Sequence, residues 1–413
     1  MSFPYSAPSN LSHPLARAAI CLAIVSALIG STAPSPLFAV YKQHWGLTAM
    51  VQTALYAVYA LGVVTSLLAV GAFADRIRDR RQVLLAGLAI VIAGSLLMAF
   101  AQQVPQLFAG RLLAGVGTGA LMGSCNAALI DLDTGRKRPL AALLGTLSIT
   151  GGAALGPIIT SAAMATDLAP LALPFVFNAV LAGVAALCVV RLPAAVPPPL
   201  SALAEADETP SWGDALSPVA LPFALSCVIL VLAWSSGSIF MALGPTIMRT
   251  LDAPDNAARA GLVVSLFQVT AGCTQMATYR LDRRRAVQLG CLLLALGWLG
   301  CVVAWHLDAL TAFLAGAVLS GVGYGAAFTG ASGKVNEIAP ASHRAFLSSA
   351  FLVSGYGGST LVVLMMGKLT DMFDLETAMS MFGCLAVKTT LYVFLQLRSI
   401  PRLPARGAME PGR

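Results

Sequence analysis

At 413 residues, with 58% hydrophobic and only 10% charged residues, the chain carries far less charge than a soluble domain, where about a quarter of residues are charged. A mean hydropathy of +0.82 excludes a soluble multidomain protein and makes lipid the solvent. The formal net charge of +7 is spread over short turns between apolar runs, so it reports membrane topology and argues against a nucleic-acid partner.

A membrane span needs about 20 predominantly apolar residues, and with no water to satisfy its backbone it must be helical. Twelve spans are predicted, at approximately 18–40, 50–74, 83–101, 106–131, 140–165, 169–190, 218–247, 260–279, 286–305, 309–332, 345–368 and 376–397. The expected class is an all-α membrane protein. Residues 1–17 form a polar tail without the basic start and Ala-x-Ala site of a cleaved signal, so the first span is expected to stay. That span contains Ser31-Thr32-Ala33-Pro34-Ser35-Pro36. Proline removes a backbone donor and leaves a carbonyl that needs another partner. The stretch therefore reads either as a helix bend near the outer mouth or as a frayed helix end before Trp45.

The second span is uncharged from residue 50 to 74, after which Gly71 to Arg81 brings six charges in eleven positions. Charge then vanishes again from Val83 until Arg111. Only a crossing from membrane to water explains so abrupt a change. In the fourth span, Arg111-Leu-Leu-Ala-Gly115-Val-Gly117-Thr-Gly119 places a guanidinium in an apolar helix. That costs at least a few kcal/mol unless the group faces the bundle interior or a water cavity, or snorkels to the interface. The glycines permit close helix contact. So do those of Gly151-Gly152-Ala-Ala-Leu-Gly156-Pro157 in the fifth span.

Between 192 and 217 the pattern stops: five prolines and four acids mark a linker between a first half, 18–191, and a second, 218–397, followed by a tail, 398–413. The halves repeat at an offset of 206 residues: Gly115, Gly117 and Gly119 face Gly321, Gly323 and Gly325; Asp131 faces Glu337; Arg138 faces Arg344. Asp79-Arg80-Arg81 is mirrored by Asp282-Arg283-Arg284 at an offset of 203. Nineteen of the 25 Lys and Arg fall on one side of the twelve spans, which puts both termini in the cytoplasm.

Polar residues that could line a cavity between the halves are Tyr56, Tyr59, Ser148, Trp234, Tyr324 and Tyr356, with Gln268 and Gln275 on one face of the eighth span. Lys388 lies in the middle of the last span and reads equally as a substrate or coupling charge and as a residue reaching for water. The eight cysteines all fall in spans without a CxxC pair and read as small apolar residues, so neither disulfides nor zinc are expected. No GxxxxGK[ST] indicates ATP hydrolysis, the four histidines make no metal pair, and no acid lies deep in a span. Neither an enzyme nor a cofactor is indicated.

The arrangement Gly71-x-x-x-Asp75-Arg76-x-x-x-Arg80-Arg81 resembles the loop between the second and third helices of the major facilitator superfamily, with Arg78 where that family has a second glycine. The Arg111 pattern resembles the family's RxxxGxGxG at every fixed position. Gly152-x-x-x-Gly156-Pro157 resembles the fifth-helix element of its antiporters, with Thr160 and Ser161 replacing a closing glycine pair. The resemblance covers about residues 18–397 and implies two pseudo-symmetric six-helix bundles that rock about a midplane cavity.

It further implies a cytoplasmic gate. Gly71, Asp75, Arg76, Arg80, Arg81 and Asp131 would form it in the first half, Asp282, Arg283, Arg284 and Glu337 in the second. Asp75 would cap a helix of the other half, Asp131 would hold Arg80 or Arg81, and Glu337 would hold Arg283 or Arg284. The expected function is proton-coupled efflux of a small organic, drug-like compound by a monomer in the inner membrane. The alternatives are uptake of a small organic anion with Arg111 and Lys388 as counter-charges, and a sensor that does not transport.

Overall fold

The structure, a computed structural model, describes residues 12–73, 80–132, 138–191, 219–251, 259, 261–339 and 344–399. The linker expected at 192–217 and the loop residues Asp75 and Arg76 lie outside them. Among the described residues the chain is helical almost throughout. The first half is built from α1 (Ser12–Thr32), α2 (Leu37–Trp45), α3 (Ala49–Phe73), α4 (Arg80–Ala99), α5 (Val104–Leu132), α6 (Arg138–Ala165) and α7 (Leu173–Val190). The second contains α8 (Ala220–Ala242), α9 (Gly244–Leu251), α10 (Leu262–Thr278), α11 (Arg283–His306), α12 (Leu310–Ile338), α13 (Arg344–Met372) and α14 (Leu375–Ser399).

Among the described residues, ten crossings are long and apolar enough to span a membrane, with α1 and α2 forming one of them. Helix α5, which carries Arg111, and the 17-residue α10 complete the predicted twelve. Two crossings are broken. The first breaks at 33–36, before α2 runs on to Trp45, and Gly46 then turns the chain at φ 61°, a left-handed value natural to glycine. The seventh breaks at Leu243, where Gly244-Pro245 opens α9.

Lipid supplies no hydrophobic drive between helices, so they hold by close packing and polar ties. The duplicated glycines do this in both halves. Gly115 and Gly119 bring α5 onto the carbonyls of Tyr59 and Val63 in α3, while Gly117 meets Gly87 and Val91 of α4. At the shifted positions, Gly321 and Gly325 bring α12 onto the carbonyls of Phe267 and Ala271 in α10, and Gly323 meets Gly290 and Leu294 of α11. Polar ties add to this: Asn178 Nδ2 donates to Ser95 Oγ at 3.0 Å in the first half, and Trp298 Nε1 to Ser236 Oγ at 2.9 Å in the second.

Helix α7 ends and α8 begins at one end of the bundle, the linker end; the turns after α2, α4, α6, α11 and α13 lie at the far end. The halves meet along two seams. In one, α3 runs beside α13; in the other, α6 runs beside α10.

Candidate functional site

The break between α1 and α2 shapes the site. Pro34 and Pro36 have no N–H, and the turn is held by short bonds, Ser35 N to Thr32 O at 3.0 Å and Leu37 N to Pro34 O at 3.0 Å. The carbonyls of Ser31 and Ala33 therefore lose their ordinary helical donors. Side chains of the neighbouring helices replace them. Arg111 Nη1 of α5 donates to Ser31 O at 2.8 Å, and Thr160 Oγ1 of α6 donates to Ala33 O at 2.8 Å. Of the two readings the prolines allowed, the structure shows a bend, with the chain helical again from Leu37.

Arg111 is 1% exposed. Its Nε donates to Leu55 O of α3 at 3.2 Å, and its guanidinium carbon lies 4.6 Å from the centre of the Tyr59 ring and 5.9 Å from that of Phe38. Its hydrogen-bond acceptors are neutral carbonyls, and its Nη2 has no hydrogen-bond partner among the described residues. One positive charge thus ties three helices together with a donor to spare.

The antiporter-like element lies beside the same break. Gly152 packs on Val25 O and Gly156 on Ala33 N and Ile29 O, each within about 3 Å of where a Cβ would stand. Pro157 O lies 3.1 Å from the Cβ position of Gly261, the residue before α10. The element therefore touches both the α1–α2 break and the other half.

Aromatic residues of both halves converge between the seams. Tyr56 Oη donates to Ser238 Oγ of α8 at 3.2 Å, and Tyr356 of α13 packs against the cluster of Tyr59, Val63 and Ala114. Behind Tyr356 stands an aromatic wall: its ring meets Trp234 edge-on at 4.7 Å, Trp234 stacks with Phe328 at 6.1 Å, and Phe328 stacks with Tyr324 at 6.4 Å. Phe267 closes the row, 5.4 Å from Tyr324. Ser148 is buried on α6, and Gln268 and Gln275 are partly buried on α10.

Lys388 is not part of this cluster. It is exposed on α14 and lines a groove of about 550 Å³ with His306 of α11 and with Glu376, Ser380 and Cys384 of its own helix. That groove is built wholly from residues of the second half. The stripe 376, 380, 384, 388 carried the signal, since steps of four share one helix face.

The gate residues are described in part. Gly71, Arg80 and Asp131 belong to α3, α4 and α5, with their side chains outside the described set. In the second half, Asp282 accepts from Arg285 N at 3.1 Å and so caps its own helix α11. Arg283 donates to Tyr279 O at 3.1 Å and packs over Gly333, one turn from Glu337, which pairs with Lys334 at 3.5 Å. Sequence reasoning missed Asp371. Its carboxylate leaves α13 and accepts from Ala49 N at 2.7 Å and Met50 N at 2.8 Å, at the start of α3.

Twelve crossings in two halves with matching glycine seams, joined across an aromatic-lined interface, define a membrane transporter. The chain belongs to the Major Facilitator Superfamily, whose profile matches residues 20–362 and 225–411. It is 30% identical over 149 residues to the multidrug efflux pump LfrA of Mycolicibacterium smegmatis, covering 36% of this chain and 29% of that one. It is also 30% identical over 157 residues to a gallate transporter of Pseudomonas putida, 36% of this chain and 34% of that one. The matches thus span about a third of each relative.

Solved structures share the fold at low identity. A POT family transporter in complex with a thioalcohol-conjugated peptide has a TM-score of 0.75 at 14% identity, with 94% and 96% of the two chains covered. The nucleoside transporter NupG has 0.71 at 16%, with 93% and 99% covered. A bacterial homologue of the human lysosomal transporter Spinster has 0.72 at 14%, with 94% and 98% covered.

Proposed function

We propose that this transporter exports a small aromatic, drug-like organic compound from the cytoplasm in exchange for protons, as a monomer in the inner membrane with both termini inside. The observation that carries this reading is the row of Trp234, Phe328, Tyr324 and Tyr356 from one half facing Tyr56 and Tyr59 from the other. Flat aromatic rings offer a large apolar face and few fixed hydrogen bonds, which suits ring-bearing substrates of varied shape. The gate at Gly71, Asp75, Arg76, Arg80, Arg81 and Asp131 would close the cytoplasmic side in one state, aided by Asp282, Arg283, Arg284 and Glu337. Arg111, with its spare donor, would influence protonation beside the site or meet an acceptor on the substrate.

Uptake of a small organic anion is the second reading. It is favoured by the same guanidinium, which has no carboxylate among its hydrogen-bond acceptors, and by the resemblance to a gallate transporter. Inside-out vesicles containing the protein separate the two. Efflux predicts accumulation of an aromatic test compound driven by an acidic lumen. Accumulation indifferent to the gradient would contradict proton exchange.

A further inference from the structure

Helices α3 and α13 run antiparallel along their seam, so the far end brings the N-terminus of α3 against the C-terminus of α13. The first N–H groups of a helix have no internal partner and carry partial positive charge. Both oxygens of Asp371 take them, at 2.7 Å from Ala49 N and 2.8 Å from Met50 N, across a sequence separation of over 300 residues. For α13 itself the position is unfavourable, because a carboxylate in a last turn faces the negative end of its own helix. What Asp371 gains, it gains from the other half.

Neighbouring contacts join the same two halves at the same end. Gly367, one turn before Asp371, lets α13 approach Thr53 and Ala49 O of α3. Gln52 Nε2 donates to Ala242 O and, at 3.1 Å, to Thr246 Oγ1, and Arg249 Nη2 donates to Gln43 Oε1 at 2.9 Å.

We infer that Asp371 is a gating residue: its carboxylate clasps α3 to hold the far end shut and lets go when the far end opens. This rests on the alternating-access reading. It also gives the seam a reciprocal logic. Asp75 follows the linker-end terminus of α3, and the family resemblance has it cap a helix of the other half; Asp371 does the same from α13 at the opposite end. Two bundles that rock can close one clasp only by releasing the other.

The test uses full-length protein in proteoliposomes, with its eight native cysteines replaced and spin labels on cysteines introduced at Gln103 and Leu307, exposed turns at the far end of each half. Because a cap is worth about 1 kcal/mol, Asp371→Ala should raise the long-distance population about fivefold. Asp371→Glu should largely keep the short distance. Gly367→Ala, which pushes a methyl into Thr53 without touching the carboxylate, should open the same end. Unchanged distances in both Asp371→Ala and Gly367→Ala, with transport intact, would overturn the clasp and leave alternating access standing. A single distance in wild type under every substrate and proton gradient would overturn both.

Discussion

The two seams between the halves are built on different physics. At α3–α13 a carboxylate meets two backbone donors at the protein surface, so the contact is directional and makes or breaks over a small displacement. At α6–α10 small residues meet: Gly261 lies against Pro157 O and Ser161, and Gly272 against Thr150. That contact is one of shape, and it tolerates sliding but not added volume. One seam is suited to switching and the other to guiding the motion. Arg111 links them, since its bonds run to α3, which carries the first seam, and to Ser31 at the break against which α6 packs.

Loss of Arg111 should therefore have the largest effect. Arg111→Ala leaves the buried Ser31 carbonyl short of a donor, at about 1–3 kcal/mol, and removes the tie to Leu55 O; it should cut transport at least about 100-fold while lowering the melting temperature of the purified protein. Arg111→Lys should not restore activity, because a point charge cannot replace a fork that serves two carbonyls and stacks on Tyr59; wild-type rates in the lysine variant would break the link between the seams.

Overfilling the shape seam comes next. Gly272→Val should cost about 1–3 kcal/mol of packing and reduce transport about tenfold or more. Gly272→Ala should be milder and should recover when Thr150→Ala makes room. An additive double variant would show that the two residues do not share a contact.

At the polar seam the effects should be smaller. Asp75→Asn should slow transport several-fold with expression intact, measured as initial rate per inserted protein; an unchanged rate would remove the linker-end clasp. Tyr56→Phe loses one hydrogen bond across the halves and should shift apparent affinity about two- to fivefold. Lys388→Met should do least, leaving transport within about twofold of wild type, because its groove touches neither seam. A large loss there would restore the coupling role that its position argues against.

Much of the fold was legible because hydropathy has a sharp threshold in lipid: twelve apolar runs and a glycine repeat at one offset marked two related halves, and the family resemblance supplied their arrangement as two six-helix bundles. Arg111 was legible for the same reason, since a charge in an apolar span demands a partner. What it would bind was not, because one of its acceptors, Ser31 O, is set free at a proline break 75 or more residues away in the chain. Asp371 looked like any acid at a span end; its meaning comes from the start of α3, over 300 residues earlier, and only the antiparallel seam brings the two together. Lys388 marks a different limit. Depth along a helix is visible in sequence, whereas the direction a face points depends on which neighbours it has, and α14 turns that face away from the first half.

The most direct measurement is the accessibility of a single cysteine at Tyr324, on the aromatic wall, to a membrane-impermeant thiol reagent applied from either side of a sealed vesicle. Alternating access predicts reaction from both sides under turnover, with Asp371→Ala favouring the far side and Asp75→Asn the linker side. Reaction from one side alone, whatever the gradient and whichever clasp is cut, would contradict it.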